Sequence, residues 1–431
     1  MEVIVMKKLR KFTFSFLSVI MLVGGVAMTP VWANEVLPES YTNHTEFDSF
    51  SEEIIAEFGY EFYNNHSYSV DLINEFYQLL PLNRLGQAIY PSDFGGMYIN
   101  EDGNLVVLQV FGPFLSIENQ FSENIIVESA NFSYNEILAT NNILIYFFMN
   151  HYTLPSIGNI ASFWTDVVNN RIVVYLHNYS AEKTDALIND TINSPLIEFY
   201  QHVPSDEQPL PLAVAEDDEP DFTAEPPVSF FGGISPFNTI TIRPGDGIRV
   251  GSPTAGRCSV GFRATSGNRQ GFVTAAHCGD ANNVRVYTAS GVHIGTFRNR
   301  TLTPIDAAFV EINANVTVTN QISNQINLVA TAATPVVGQL ISSIGVVSGL
   351  RSGLIERINV TEDVAGIGRL VNTTIASMPS IHGDSGGVAF SETTGVRSYN
   401  IQGIAITRIG DTRSRISRTS QILDWTAWRL N

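Results

Sequence analysis

CSVGFRATSGNRQGFVTAAHC, residues 258–278, holds both cysteines of the chain and reads as a hairpin. Its polar turn, Ser266-Gly267-Asn268-Arg269, falls halfway, with arms of ten residues on each side of Asn268. In antiparallel pairing Cys258 and Cys278 would face one another within bridging distance, provided the register holds. The alternative is two free buried thiols. One such bridge contributes about 3 kcal/mol by constraining the unfolded chain. The second arm ends in His277, between Ala276 and Cys278. A lone histidine at a strand end is as compatible with a core position as with a catalytic base, so its neighbours along the chain must decide.

The sequence around this hairpin has one texture. RCSVGFRA, QGFVTAA, VRVYTA, HIGTFR, IDAAFVEI, QLISSIGVV, LIERINV, GGVAF and NIQGIAI all read as strands, and turn signals recur about every ten residues. Only RTSQILDWTAWRLN, at the C-terminus, reads as a helix. Many short strands with Gly-rich turns predict a sandwich or barrels for residues 233–431.

Two further stretches bear on His277. In HGDSGGVAF, residues 382–390, Ser385 is flanked by glycines that permit positive φ and let backbone N–H groups converge on an oxyanion. In LTPIDAAFVEI, residues 302–312, Asp306 precedes an apolar strand. A carboxylate there is expected to be partly buried and to need a partner. An imidazole Nδ1–H donated to Asp306 would fix the tautomer and stabilise an imidazolium.

The other half of the chain differs. Residues 7–33 run from a basic head (Lys7, Lys8, Arg10, Lys11) through an apolar stretch to Val31-Trp32-Ala33, so residues 1–33 read as a secretory signal. Secretion, with no stable membrane association, follows as an expectation. Residues 34–227 carry 30 acidic and 3 basic side chains, a net of −27, whereas residues 228–431 carry 11 and 17, a net of +6. Opposite signs predict that the halves associate. The basic half has arginines but no lysine, and they are scattered rather than striped, which argues against nucleic-acid binding. Residues 34–202 mix amphipathic helical patterns (FSEEIIAEFGYEFY, DLINEFYQLL) with two similar hairpins, GGMYINEDGNLVVLQV and ASFWTDVVNNRIVVYLHN, and read as α+β. Residues 203–232, acidic and Pro-rich without apolar periodicity, read as an exposed linker and a processing site.

GRCSVGFRA, GFVTAAHCG, IDAAFVEI and GDSGG, in that order, resemble the chymotrypsin-fold serine proteases, most closely the secreted bacterial branch of streptogrisins and α-lytic protease. The resemblance covers about residues 240–431 and implies an all-β double β-barrel with a short C-terminal helix. It implies His277 as general base and acid, Asp306 as orienting carboxylate and Ser385 as nucleophile. The N–H groups of Gly383 and Ser385 would form the oxyanion hole, and no metal or cofactor is needed. Asp384 commonly serves structure there. The resemblance also implies that residues 34–202 are a pro-region that assists folding, acts in cis or trans and is removed, leaving a monomer that cleaves protein or peptide substrates.

Gly383-Asp384-Ser385-Gly386-Gly387 also fits the G-x-S-x-G pattern of α/β-hydrolase esterases and lipases, but that family places its histidine after the serine, and all eight histidines here precede Ser385. An exported binding module that merely keeps the fold would be expected to lack a triad member, and none is missing. Aligning QGIAITRIG with the family's pocket strand puts Ile406, Thr407 and Arg408 at the specificity pocket, where Arg408 would narrow it or add positive charge, favouring small or acidic side chains. His382, beside the oxyanion loop, is either a substrate contact or exposed decoration.

Overall fold

Short alternating strands joined by positive-φ turns fold the C-terminal half into two barrels; the computed structural model describes residues 49–82, 88–109, 125–203, 239–323, 326–392 and 398–430. The expected secretory signal lies outside these residues, as does the acidic linker apart from Val203. In the first barrel the strands run, neighbour by neighbour, 263–266, 269–274, 307–312, 293–301, 284–288, 247–250 and 257–259. In the second they run 340–345, 388–392, 398–409, 413–418, 368–376 and 349–364, and the last pairs back on the first to close the cylinder. Apolar side chains fill the first barrel around Phe272, Phe297 and Val310. A second cluster, around Phe262, Phe309 and Phe390, draws on both barrels.

The opening hairpin departs from the symmetric reading. Ser266 pairs with Arg269 around Gly267 and Asn268, one residue out of the register that would oppose the cysteines, and the ladder extends only to Arg263. Cys258 instead lies in strand Arg257–Ser259 and Cys278 in the short turn Ala276–Cys278. The two are bonded, with Cα atoms 6.1 Å apart, so the bridge ties a strand to a turn rather than a cross-strand pair. RCSVGFRA is two strands, broken near Gly261, where a Cβ would stand 2.5 Å from the Val273 carbonyl and 2.7 Å from that of Gly386. The C-terminal helix is also shorter than its pattern: it spans Thr419–Trp425, and Trp428–Leu430 returns to the first barrel as an edge strand on 264–266. Burial of Trp428, 5.9 Å from the Phe309 ring, outweighs continuation of the helix.

The N-terminal segment is α+β as expected, with helices Ser49–Phe58, Tyr60–Leu79, Tyr134–Asn150 and Ala181–Asp190 and hairpins at 94–109 and 160–176. None of the helices among the described residues is long and apolar enough to cross a membrane. Its second hairpin extends the second barrel's sheet, with Thr165, Phe163 and Ser162 in register with Ile358, Thr361 and Glu362. The halves therefore associate, but no ion pair joins them among the described residues. Arginines of the basic half meet rings and carbonyls instead. Arg357 lies 4.4 Å over Trp164, and Arg369 lies 3.9 Å over Tyr152 while donating to the Phe148 carbonyl at 2.8 Å. Weakly hydrated, planar guanidinium groups stack on aromatics at small desolvation cost. Glu57, Glu101, Asp102 and Glu182, by contrast, stay exposed in water.

One contact between the halves is pH-sensitive. His66, buried in helix Tyr60–Leu79, accepts the Leu340 N–H at Nε2 over 2.7 Å, and burial lowers its pKa to about 4. An unfolded histidine binds its proton near pH 6.5, so stability is complete above that value and falls as the pH drops from 6.5 to 4. The expected loss is about 3 kcal/mol, at 1.36 kcal/mol per unit. Urea titrations of the full chain at pH 7, 5.5 and 4 should show it, and His66→Gln should flatten the slope.

Candidate active site

Asp306, at the entry to strand Ala307–Ile312, is fully buried. A charge in that position must be paired. One oxygen accepts the His277 backbone N–H at 3.0 Å, and the other meets the His277 Nδ1. The turn Ala276–Cys278 presents the imidazole to this carboxylate, and its small buried neighbours Ala275 and Ala276 let the turn pack closely. Nε2, on the far side of the ring, is buried and has no hydrogen-bond partner. With Nδ1–H committed to the carboxylate, the free nitrogen carries the lone pair, which makes it a proton acceptor. The disulfide backs the ring: one ring nitrogen and both sulfurs lie within 4.8 Å of one another, and the bonded sulfurs offer no thiolate to a metal.

Ser385 arrives from the other barrel, on the loop before strand Val388–Glu392. It is buried to 6% exposure, and its carbonyl lies 3.8 Å from Cys278 Sγ, beside His277. Its hydroxyl makes no hydrogen bond to Nε2. A buried serine that the sequence reading missed, Ser259, clasps this loop. Its N–H donates to the Ser385 carbonyl and its hydroxyl to the Gly383 carbonyl, both at 2.8 Å, and the same hydroxyl accepts the Val346 N–H at 2.9 Å. The Asp384 carbonyl accepts the Gly387 N–H at 2.9 Å, which turns the other end of that planar unit, the Ser385 N–H, the opposite way. Neither the Ser385 nor the Gly383 N–H donates to an acceptor among the described residues. Asp384 itself is occupied as a structural clamp, its carboxylate accepting from the N–H groups of Val347, Ser348 and Ile381 at 3.0, 2.9 and 2.9 Å and from the Ser348 hydroxyl. The segment after Ser385 is a strand rather than the helix that a nucleophile elbow demands.

Beside Ser385 the structure places His382, Ile406, Thr407 and Arg408 around one pocket of about 30 Å³, together with Ser380. Arg408 is paired at 3.1 Å with Asp411, and His382 is exposed. Behind the pocket wall stands Arg415, 2% exposed, which the sequence reading did not single out. It donates to the Thr407 hydroxyl and to Glu362 Oε1 at 2.9 Å.

Two barrels bearing a Gly-Asp-Ser-Gly-Gly loop opposite a His–Asp pair define the chymotrypsin-like fold of serine-protease homologues. The comparisons agree. Streptogrisin-C of Streptomyces griseus is 35% identical over 167 residues, 36% of this chain and 35% of its own. Serine protease 1 of Streptomyces fradiae is 31% identical over 144 residues, 31% of this chain and 38% of its own. The chain thus spans little more than a third of the length of these curated relatives. A Nocardiopsis protease crystal structure is 28% identical with a TM-score of 0.38, covering 44% of this chain and 99% of that one. A family model described as "Pro-like C-terminal domain" matches residues 135–202. Over these stretches the chain is similar to streptogrisin-C and to serine protease 1, with a Pro-like segment ahead of the barrels.

Close approach of the barrels rests on Gly386, at φ 87°, where a Cβ would stand 2.1 Å from Thr274 Oγ1 and 2.6 Å from the Ser259 carbonyl. Gly267, at φ 62°, has open space around it. Gly267→Ala should cost only the left-handed strain, about 1–2 kcal/mol, whereas Gly386→Ala should cost more than about 4 kcal/mol. Denaturant midpoints of the two variants check the contrast.

Proposed function

We propose that the chain is a secreted serine endopeptidase, made as a zymogen, that hydrolyses peptide bonds through an acyl-enzyme. The observation that carries this reading is the buried Asp306–His277 pair with its orphaned Nε2, set in the crevice to which the Ser385 loop is clasped. His277 takes the Ser385 hydroxyl proton as Oγ attacks the carbonyl carbon of the substrate, then gives it to the leaving amine. Asp306 holds the tautomer and stabilises the imidazolium. The N–H groups of Gly383 and Ser385 receive the oxyanion, each worth about 3 kcal/mol in the transition state. Water, deprotonated by the same imidazole, then releases the acyl group.

Residues 1–33 act as the export signal and residues 34–202 as a pro-region that assists folding and inhibits until the linker at 203–232 is cut, leaving 233–431 as the enzyme. The match to a Pro-like domain and the sheet shared with the second barrel support this division. Protein or peptide substrates and the pro-region itself are the partners.

A serine-directed phosphonylating reagent should label Ser385 in the processed protein. Ser385→Ala should abolish labelling and lower peptide hydrolysis by about six orders of magnitude. Intact fold without labelling would favour the silent binding module. If processing is autocatalytic, the Ser385→Ala chain should retain residues 34 to about 230 by mass spectrometry; normal maturation would assign the cut to another protease.

A further inference from the structure

Every polar side chain lining the pocket beside Ser385, namely Ser380, His382, Ser385, Thr407 and Arg408, can donate a hydrogen bond, and no carboxylate lines it. Thr407 is the most constrained of them, at 8% exposure. Its oxygen accepts from Arg415 Nη1, so a lone pair is engaged by a cation and the hydroxyl proton is left to donate; it has no acceptor among the described residues. Arg415 directs its other nitrogens, Nε at 2.9 Å and Nη2 at 2.6 Å, to Glu362 Oε1. The guanidinium is therefore bracketed by Glu362 on one set of nitrogens and Thr407 on another, and the positive end of this buried pair is the end that touches the pocket wall. On the same wall, Arg408 is opposed, among the described residues, by Asp411, whose side chain is 88% exposed and so screened by water. The volume of the pocket open to the centre of a water-sized sphere is about 30 Å³.

Resting on the endopeptidase reading above, we propose that this pocket selects an acidic residue, aspartate or glutamate, on the acyl side of the cleaved bond, with Thr407 as the carboxylate donor and Arg415 as the positioning residue that holds and polarises it. A carboxylate would accept the Thr407 hydroxyl proton in a site with a positive field. The isosteric amide loses that field and turns a donor toward a lining of donors.

The test uses the processed enzyme, its active concentration fixed by titration with the phosphonylating reagent, and peptides differing only at that position: Asp against Asn, Glu against Gln, with Leu and Lys as further arms. kcat/KM should favour each acid over its amide by about tenfold or more. Thr407→Val should bring the acid-to-amide ratio close to one and Thr407→Ser should restore it. Arg415→Met combined with Glu362→Gln, which leaves no buried charge unpaired, should also lower the ratio. An enzyme that titrates normally but prefers Leu or Lys, or a Thr407→Val variant with an unchanged ratio, overturns the proposal while the endopeptidase reading stands. No titratable serine at all overturns that reading, and this one with it.

Discussion

Contact between the two barrels is the constraint from which the site follows. The Ser385 loop belongs to the second barrel, yet its shape is set by a first-barrel residue: Ser259 binds the carbonyls of both Gly383 and Ser385, and Thr274 Oγ1 donates to the Ser259 carbonyl at 2.8 Å beneath Gly386. Only a residue without Cβ fits between them. Carbonyls anchored inward leave the neighbouring N–H groups without acceptors among the described residues, which is the condition for binding developing negative charge without reorganisation. The same contact brings the serine beside a histidine that the first barrel has already paired with a buried carboxylate. Neither barrel alone contains the arrangement, which is fixed where the Ser259 hydroxyl and N–H of one barrel hold backbone carbonyls of the other.

The N-terminal segment attaches by a different physics from the one its charge suggests. A net of −27 against +6 points to salt bridges, yet guanidinium groups of the basic half settle on Trp164, Tyr152 and the C-terminal carbonyls of helix Tyr134–Asn150. Arginine stems and rings bury area that carboxylates would lose water to reach. Arg418 is a further case, half-buried and donating to Asn359 Oδ1 at 2.7 Å, with its pKa lowered by desolvation and tyrosines 134, 90 and 77 of the segment among the groups around it. Long-range attraction then serves encounter, whereas strand pairing and stacking hold the complex.

Legibility followed locality. Four short motifs disclosed the barrels, because strand alternation and Gly-rich turns are encoded within ten residues, and the carboxylate before an apolar strand announced its own need for a partner. Ser259 could not be seen that way: its role depends on carbonyls 124 and 126 positions downstream, and a serine in RCSVGFRA looks like any polar strand residue. Arg415 was hidden for the same reason, being identified only by its cross-strand partner Thr407. Helix Tyr134–Asn150 was missed although Ser133 and Glu136 form a capping box, a signature that was there to be read. The disulfide was reached through a register that the structure does not use, since the chain leaves the ladder at Gly261.

Placing Arg415 behind Thr407 rather than in the pocket has a consequence for selectivity. A guanidinium exposed in the cavity would remain hydrated until substrate arrived and would have to be stripped of water at each binding event. Held at 2% exposure and neutralised by Glu362, Arg415 was desolvated during folding, so the Thr407 hydroxyl is oriented before any substrate enters. The donation from Arg415 to Thr407 Oγ1 occupies a lone pair of that oxygen and leaves the hydroxyl proton to donate. On the selectivity proposed above, Arg415 and Glu362 would act through Thr407 without themselves touching the substrate.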